Sequence, residues 1–447
     1  MVEQDSEKAS CSWRDKYVKF DMRLYQSFDV PKESPYYALI HLEPSLKTLV
    51  TFSPNRHLPT HRWFDYKQGF STSLVENLVN RLGVPEKGLV LDPFCGVGTT
   101  ILTCKSIGLE SVGFDVLPLA VFVTNVKLQN GYNLDILNQE AKKLANVPLH
   151  EAKSEWPSAR IIPRAFSPDV SKALLAYKDH ILSIEDDRTR NLFLLALLSI
   201  VEDASFTRKD GGFLRIDPTK KPQSPKVLLK EAVSWMMADI ETSQGQLTQE
   251  QPKFGRAVTK EGDARDLSLD SDSVSLTITS PPYLNKTDYT RLYSLELYLG
   301  GFCKDFEDLR RLRYRTFRSH VEAKPFPGQA TSLHSEILQR QITDLRPRKL
   351  NNPRTIYMIE GYFEDSAQFL RELYRVTQKG GKAAIVVWNS RFAGVNFDVD
   401  TILAELSEQI GFRVEEIIVA RQKGISAQQV AAYGETPLRE SILVIEK

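Results

Sequence analysis

Apolar positions along this chain gather into runs short enough for strands, separated by stretches with helical spacing. The first clear rhythm is "GLVLDPFCGVGTTILTCKSIGLESVGFD". An apolar run at 88–92 leads into a glycine turn, a helix to about Ile107, and a second strand ending at Asp115. Strand, crossover helix and strand in that order predict a βαβ unit with parallel pairing. Between about 130 and 255 the pattern turns helical and charged, broken by "IIPRAFSPD" and "DPTKKPQSPK", as in an inserted helical subdomain. Strand signals resume at 274–279, where Val, Leu, Ile and Thr dominate and two prolines forbid continuation. "GGKAAIVVWNS" at 380–390 predicts a glycine turn feeding another buried strand, and a helix at about 399–410 follows. The closing runs "FRVEEIIVA" and "ESILVIE" predict an antiparallel pair at the sheet edge. The expectation is an α/β sheet with helices on both faces. It divides into an N-terminal extension over 1–50, a first half of the core over 51–129, the insertion over 130–255 and a second half over 256–447. Nothing in the first 50 residues has a functional reading.

At 447 residues the chain exceeds one ordinary core, and an apolar content of 42% fits a globular protein. The longest apolar run, "LFLLALLSIV" at 192–201, is about half of the roughly 20 residues a bilayer demands, so it predicts a buried helix. The polar, acidic start "MVEQDSEKAS" lacks the basic-then-apolar order of a secretion signal. Cys11, Cys95, Cys104 and Cys303 form no CxxC pair and no cluster with histidine, so no metal is expected and a reducing cytoplasm is. A net charge of +1 gives no global signature of nucleic-acid binding, although local patches can hide in a balanced total.

The chemistry begins at "DPFCGVGTT". Gly96 and Gly98 permit a tight strand-to-helix turn and a close approach of ligand to backbone. The last glycine of a dinucleotide fingerprint is replaced by Ile101, and no G-x-x-x-x-G-K-[ST] loop occurs, which argues against dehydrogenase and nucleoside-triphosphatase chemistry. Asp92, at the end of the first strand, would repel a pyrophosphate but attract an ammonium. S-adenosylmethionine carries one. Asp115 ends the next strand about 20 residues on, where a carboxylate accepts both hydroxyls of a ribose. A turn with two solvated aspartates is the plainer alternative, and the strand context favours the ligand.

With these residues the chain resembles the S-adenosylmethionine-dependent amino-methyltransferases that act on DNA bases. Asp92-Pro93-Phe94-Cys95-Gly96-Val97-Gly98-Thr99-Thr100, Asp115, "GDARDL" at 262–267 and Thr279-Ser280-Pro281-Pro282-Tyr283 carry the resemblance, over about half of the chain. It implies a Rossmann-like methyltransferase sheet, S-adenosylmethionine as cofactor, and double-stranded DNA as partner. It also implies cofactor contacts by Phe94, Thr99 and Thr100, and by Asp263 at the adenine amine. In "HRWFDYKQGFSTSLVENLV" it places Phe70, Ser71 and Thr72 near the methionine carboxylate, although Ser71 or Thr72 serves equally as an ordinary helix cap.

An exocyclic base amine is a poor nucleophile because its lone pair is delocalised into the ring. Ser280 Oγ and the Pro281 carbonyl can accept its two hydrogens, drawing the nitrogen toward tetrahedral geometry for in-line methyl transfer. Pro282 stiffens the corner, and Tyr283 offers a face on which an extruded base can stack. No Pro-Cys dipeptide is present, which excludes the cytosine-5 mechanism. Asn285, Asp288 and Tyr289 are further candidates for the pocket lining. In the resembling family serine at this position accompanies cytosine N4, whereas Asp or Asn accompanies adenine N6. The reading is therefore a DNA cytosine-N4 methyltransferase of a restriction-modification system, with a separately encoded endonuclease. Adenine-N6 methylation, an RNA amine methyltransferase and a silent binding module are the alternatives. For DNA contact, "RRLRYRTFR" supplies Arg310, Arg311, Arg313, Arg315 and Arg318 with Tyr314 and Phe317 among them, inside a basic stretch over about 304–354. "FTRKDGGFLR" supplies Arg208 and Lys209. Either could recognise the target.

Overall fold

The computed structural model describes residues 34–246, 254–284, 287–324, 334–423 and 438–447, and Leu39–Lys447 forms one compact unit. Its strands in chain order are β1 (Ile40–Leu42), β2 (Leu89–Asp92), β3 (Glu110–Asp115), β4 (Thr207–Asp210), β5 (Phe213–Ile216), β6 (Ala257–Glu261), β7 (Val274–Thr279), β8 (Thr377–Trp388), β9 (Ser390–Phe392), β10 (Val395–Phe397), β11 (Arg413–Lys423) and β12 (Leu438–Glu446).

Eight of them form a single sheet in the order β1-β11-β12-β8-β7-β2-β3-β6. The five strands from β6 to β8 run parallel, as the βαβ reading requires, whereas β12 is antiparallel to both of its neighbours. This is a Rossmann-like α/β sheet. The order reverses between β2 and β7, the switch point outside whose carboxyl ends open α/β sheets hold their ligands. β7 is buried at every position, which is why its sequence is an unbroken apolar and threonine run rather than an alternating one. Val90, Leu276, Ile278 and Val386 face Leu74, Val75 and Leu78 of the helix Thr72–Leu82. The helix Val399–Ile410 packs against β8, β11 and β12.

The closing pair does form, but it is not the edge. Ile40–Leu42 lies outside β11 and parallel to it, because β11 keeps a free row of backbone groups that only another strand can satisfy. Part of the first 50 residues thus has a structural role. The apolar run near 192–201 is a buried helix, Asp187–Ser199, packed with Pro168–Leu182 and Pro225–Gln246. Its core is continuous with Val97, Leu117 and Val123 beside the glycine turn. Among the described residues no helix is long and apolar enough to cross a membrane.

The loop after β6 and the segment after the helix Phe306–Arg315 are both tied to the helix Thr355–Val376 by a dry ionic clamp. Asp365 accepts from Arg265 Nη1 at 2.9 Å and from Arg318 Nη2 at 2.7 Å, and all three side chains are almost wholly buried. Removing the carboxylate would break the shared contact and leave Arg265 to Asp263 and Arg318 to Glu364, with several charge-assisted hydrogen bonds lost in a buried place. Asp365→Ala is therefore expected to lower unfolding stability by about 3–5 kcal/mol, measured by urea denaturation followed by circular dichroism. A midpoint shift within error would refute the clamp.

Candidate active site

At the end of β2 the chain turns through Gly96 (φ +50°) and Gly98 (φ +84°), which caps the helix Thr99–Ser106 in the left-handed region. A side chain at Gly98 would collide with Thr124, and one at Gly96 would stand 3.1 Å from Tyr66 Cε1. Both glycines are therefore required by conformation and by space. The turn is pinned at two carboxylates. Asp92 Oδ1 accepts from the Phe94 amide at 3.2 Å and from Thr279 Oγ1, at the end of β7, at 2.7 Å. Asp115 accepts the Gly96 amide on Oδ2 and the Leu117 amide on Oδ1, each at 2.9 Å, with the Val116 amide as a further backbone donor. Burial pushes both aspartates up to about 6, against the hydrogen bonds that lower them.

One cavity gathers Phe70, Asp92, Phe94, Gly96, Thr99, Asp115, Asp263, Ser280 and Pro282, residues scattered over 212 positions of sequence between Phe70 and Pro282. Asp263 holds Arg265 through both oxygens, and its Oδ2 keeps one lone pair. The remaining candidates lie outside the lining. Ser71 caps Thr72–Leu82 by accepting the Leu74 amide, and the Thr72 amide donates to Asn55, so the ordinary helix-cap reading holds for this pair. Thr100 Oγ1 donates to the Ile278 carbonyl and joins the turn to β7. Pro281 forms the corner but does not line the cavity. Tyr283 requires a correction: its ring is buried, its hydroxyl donates to Glu440 at 2.9 Å, and it offers no open face for stacking.

Open aromatic surface comes instead from Tyr66 and Tyr289, which line the cavity and stack at 5.7 Å between centroids. Tyr293 continues the stack from Tyr66 at 5.0 Å. Tyr66 stands in the segment "HRWFDYKQGFSTSLVENLV", where no spacing signals that it would rest on Gly96. Asp288 caps the helix Tyr289–Leu292, and Asn285 lies outside the described residues. Thr316, Ser319 and His320 complete one wall. Thr316 gives its proton to the Arg313 carbonyl, so His320 must carry its own on Nε2, 3.1 Å away, leaving Nδ1 as an acceptor. Burial holds this imidazole below the usual histidine range.

The basic stretch is largely compensated. Arg310 pairs with Glu307, Arg311 with Asp308 and Arg315 with Glu261, all with exposed or half-exposed guanidinium groups. Arg313 and Arg318 turn inward, the first to Asp288 and the second to Asp365, so the expectation of DNA contact fails for both. Phe317 is likewise buried, edge-on to Phe94, and cannot act as a wedge. Lys209 is a third correction. Burial opposes its charge, but Glu296 at 2.5 Å and Glu202 at 3.5 Å hold its pKa raised, and no phosphate can reach it. Arg208 stays half-exposed beside Asp217.

The polar groups of the cavity fit S-adenosylmethionine: the buried carboxylate of Asp92 for the ammonium, the carboxylate of Asp115 in the lining for the ribose, and Asp263, with a lone pair left on Oδ2, for an adenine amine. The profile of the DNA methylase family matches residues 3–121. The type II methyltransferase M.BsoBI of Geobacillus stearothermophilus is 30% identical over 91% of this chain and 90% of its own. M.AvaI of Nostoc is 30% identical over 94% of this chain and 93% of its own. A solved methyltransferase from Methanosarcina mazei aligns over 83% of this chain and 96% of its own at 8% identity, with a TM-score of only 0.29. With likeness of this extent to M.BsoBI and M.AvaI, the chain belongs to the type II DNA methyltransferases, enzymes that carry a methyl group from S-adenosylmethionine to an amino group of a DNA base.

Proposed function

We propose that the chain methylates the exocyclic N4 amine of cytosine in double-stranded DNA, as the modification enzyme of a restriction-modification system whose endonuclease is a separate protein. The observation that carries this reading is Ser280: a serine, not Asp or Asn, stands at the strand-end Ser-Pro-Pro corner and lines the cavity that Asp92 and Asp115 also line. The bound cofactor supplies a methyl group on a positively charged sulfur. The chain's own residues do the rest. Ser280 Oγ accepts one amine hydrogen and the Pro281 carbonyl is offered the other, so the nitrogen lone pair localises for in-line attack. Asp92 and Asp115 hold the cofactor at its ammonium and ribose ends. The place of Ser280 and Pro282 in the lining of a cavity supports a base withdrawn from the duplex, and Tyr289, which lines the same cavity, takes the stacking role first expected of Tyr283. The helices between 130 and 255 and the exposed face of Phe306–Arg315 remain the proposed DNA-reading regions.

The identity of the base is tested by incubating the protein with isotopically labelled S-adenosylmethionine and plasmid DNA, then resolving the digested nucleosides by mass spectrometry. N4-methylcytosine is expected; N6-methyladenine in its place overturns the assignment.

Ser280→Ala should lower kcat on the order of 10²-fold while leaving cofactor affinity within about twofold, whereas Asp115→Ala should weaken cofactor binding about 10–100-fold by calorimetry. A serine variant turning over at the parental rate removes the acceptor role.

Because burial pushes Asp92 and Asp115 up to about 6, the ionised forms, which attract the ammonium at Asp92 and accept the ribose hydroxyls at Asp115, are present above that value and are lost below it. Cofactor affinity should be flat from pH 7 to 8 and decline below about pH 6, by up to about tenfold per unit for each carboxylate. Affinity unchanged at pH 5 would contradict the assigned ammonium contact.

A further inference from the structure

The hairpin β4–β5 has a feature that the methyl-transfer site does not use. Its strands pair Arg208 with Arg215 and Asp210 with Phe213 across a two-glycine turn, so these four side chains share one face. That face is open: Phe213 is 52% exposed, and Arg208 and Arg215 are about as exposed. The opposite face is anchored. Lys209 reaches Glu296 and lies 4.4 Å from the centroid of Tyr293, and Leu214 packs into the apolar core. The hairpin is therefore a stiff ribbon, fixed at its root and presenting one aromatic ring at its tip.

Single exposed apolar side chains are common, and exposure alone assigns nothing. Here the ring sits among cations, on a strand that packs against the helix Tyr289–Leu292. Arg291 lies 6.0 Å from the Phe213 ring centroid, in the short helix Tyr289–Leu292, whose first residue lines the cavity. The ion pair between Arg215 and Asp210 is exposed on both sides, at 3.3 Å, so a phosphate can compete for the guanidinium.

We infer that Phe213 enters the base stack of duplex DNA as the target base leaves it, with Arg208, Arg215 and Arg291 holding the flanking phosphates. A two-stranded ribbon fits a DNA groove, and an apolar side chain between base steps is a known means of opening a stack. The ring would replace the stacking that the extruded base gives up, while Tyr289 receives that base on the other side. This rests on the proposed action on a base withdrawn from a duplex.

The test uses the full-length protein and a synthetic duplex containing the sequence found methylated on plasmid DNA. It is compared with the same duplex carrying an abasic site opposite the target base, where pairing is already lost. Phe213→Ala should reduce kcat/KM on the paired duplex about tenfold or more, the worth of one stacked ring. It should leave thermal melting and cofactor affinity unchanged and recover most of the loss on the abasic duplex. Phe213→Trp should stay near the parental rate. Parental activity of Phe213→Ala on the paired duplex, or an equal loss on both duplexes, overturns the wedge while leaving the methyl-transfer assignment standing. A parental enzyme that methylates no DNA would overturn both.

Discussion

The hydrogen bond from Thr279 Oγ1 to Asp92 Oδ1, 2.7 Å long and closed to solvent, holds the site together. It joins the carboxyl ends of β7 and β2, the two strands at which the order of the sheet reverses. On one side of this bond the backbone turns through the glycines of the cofactor loop; on the other it turns through Ser280 and the prolines. Because both partners are buried, neither turn can drift without leaving a polar group unsatisfied, a cost of about 1–3 kcal/mol. The sites proposed for cofactor and acceptor are thus registered to each other by the sheet itself. Thr100, bonded to the Ile278 carbonyl, repeats the tie one residue deeper.

Around this centre the charge distribution follows burial rather than composition. A chain with a net charge of +1 hides Arg265, Arg313, Arg318 and Lys209 in ion pairs with Asp365, Asp288 and Glu296. The pairs join separate segments: Arg265 holds Asp263 in its own loop, Arg313 reaches Asp288 at the start of the helix Tyr289–Leu292, and Lys209 of β4 reaches Glu296. Cations expected at a DNA surface instead keep the walls of the site rigid. The outer side of the β4–β5 ribbon, the outer side of the helix Phe306–Arg315 and the basic residues Arg346, Arg348 and Lys349 stay exposed.

Desolvation tunes the same groups that it positions. Asp92 and Asp115 sit near neutrality in their pKa because their surroundings are apolar, so a cationic ligand is favoured by the charge that it stabilises. The stacked rings of Tyr289, Tyr66 and Tyr293 extend the dry environment outward to Lys209, linking the cavity to the root of the ribbon.

The sequence by itself determined what local periodicity and local stereochemistry control. The βαβ unit, the strand ended by Pro281 and Pro282, the helix over 399–410 and the turn at Gly96 and Gly98 were all legible, since each depends on residues only a few positions apart. The carboxylates at the strand ends followed from those elements. Only the tertiary structure decided which side chains face the cavity. Tyr283 and Tyr289 look alike in sequence, yet one is buried against Glu440 and the other is open to the site. Arg313 and Arg315 are two positions apart on one helix, and one points to Asp288 inside while the other reaches Glu261. Their partners lie 25 and 54 residues away, and a charge's partner across such a separation is set by packing, which no local pattern encodes.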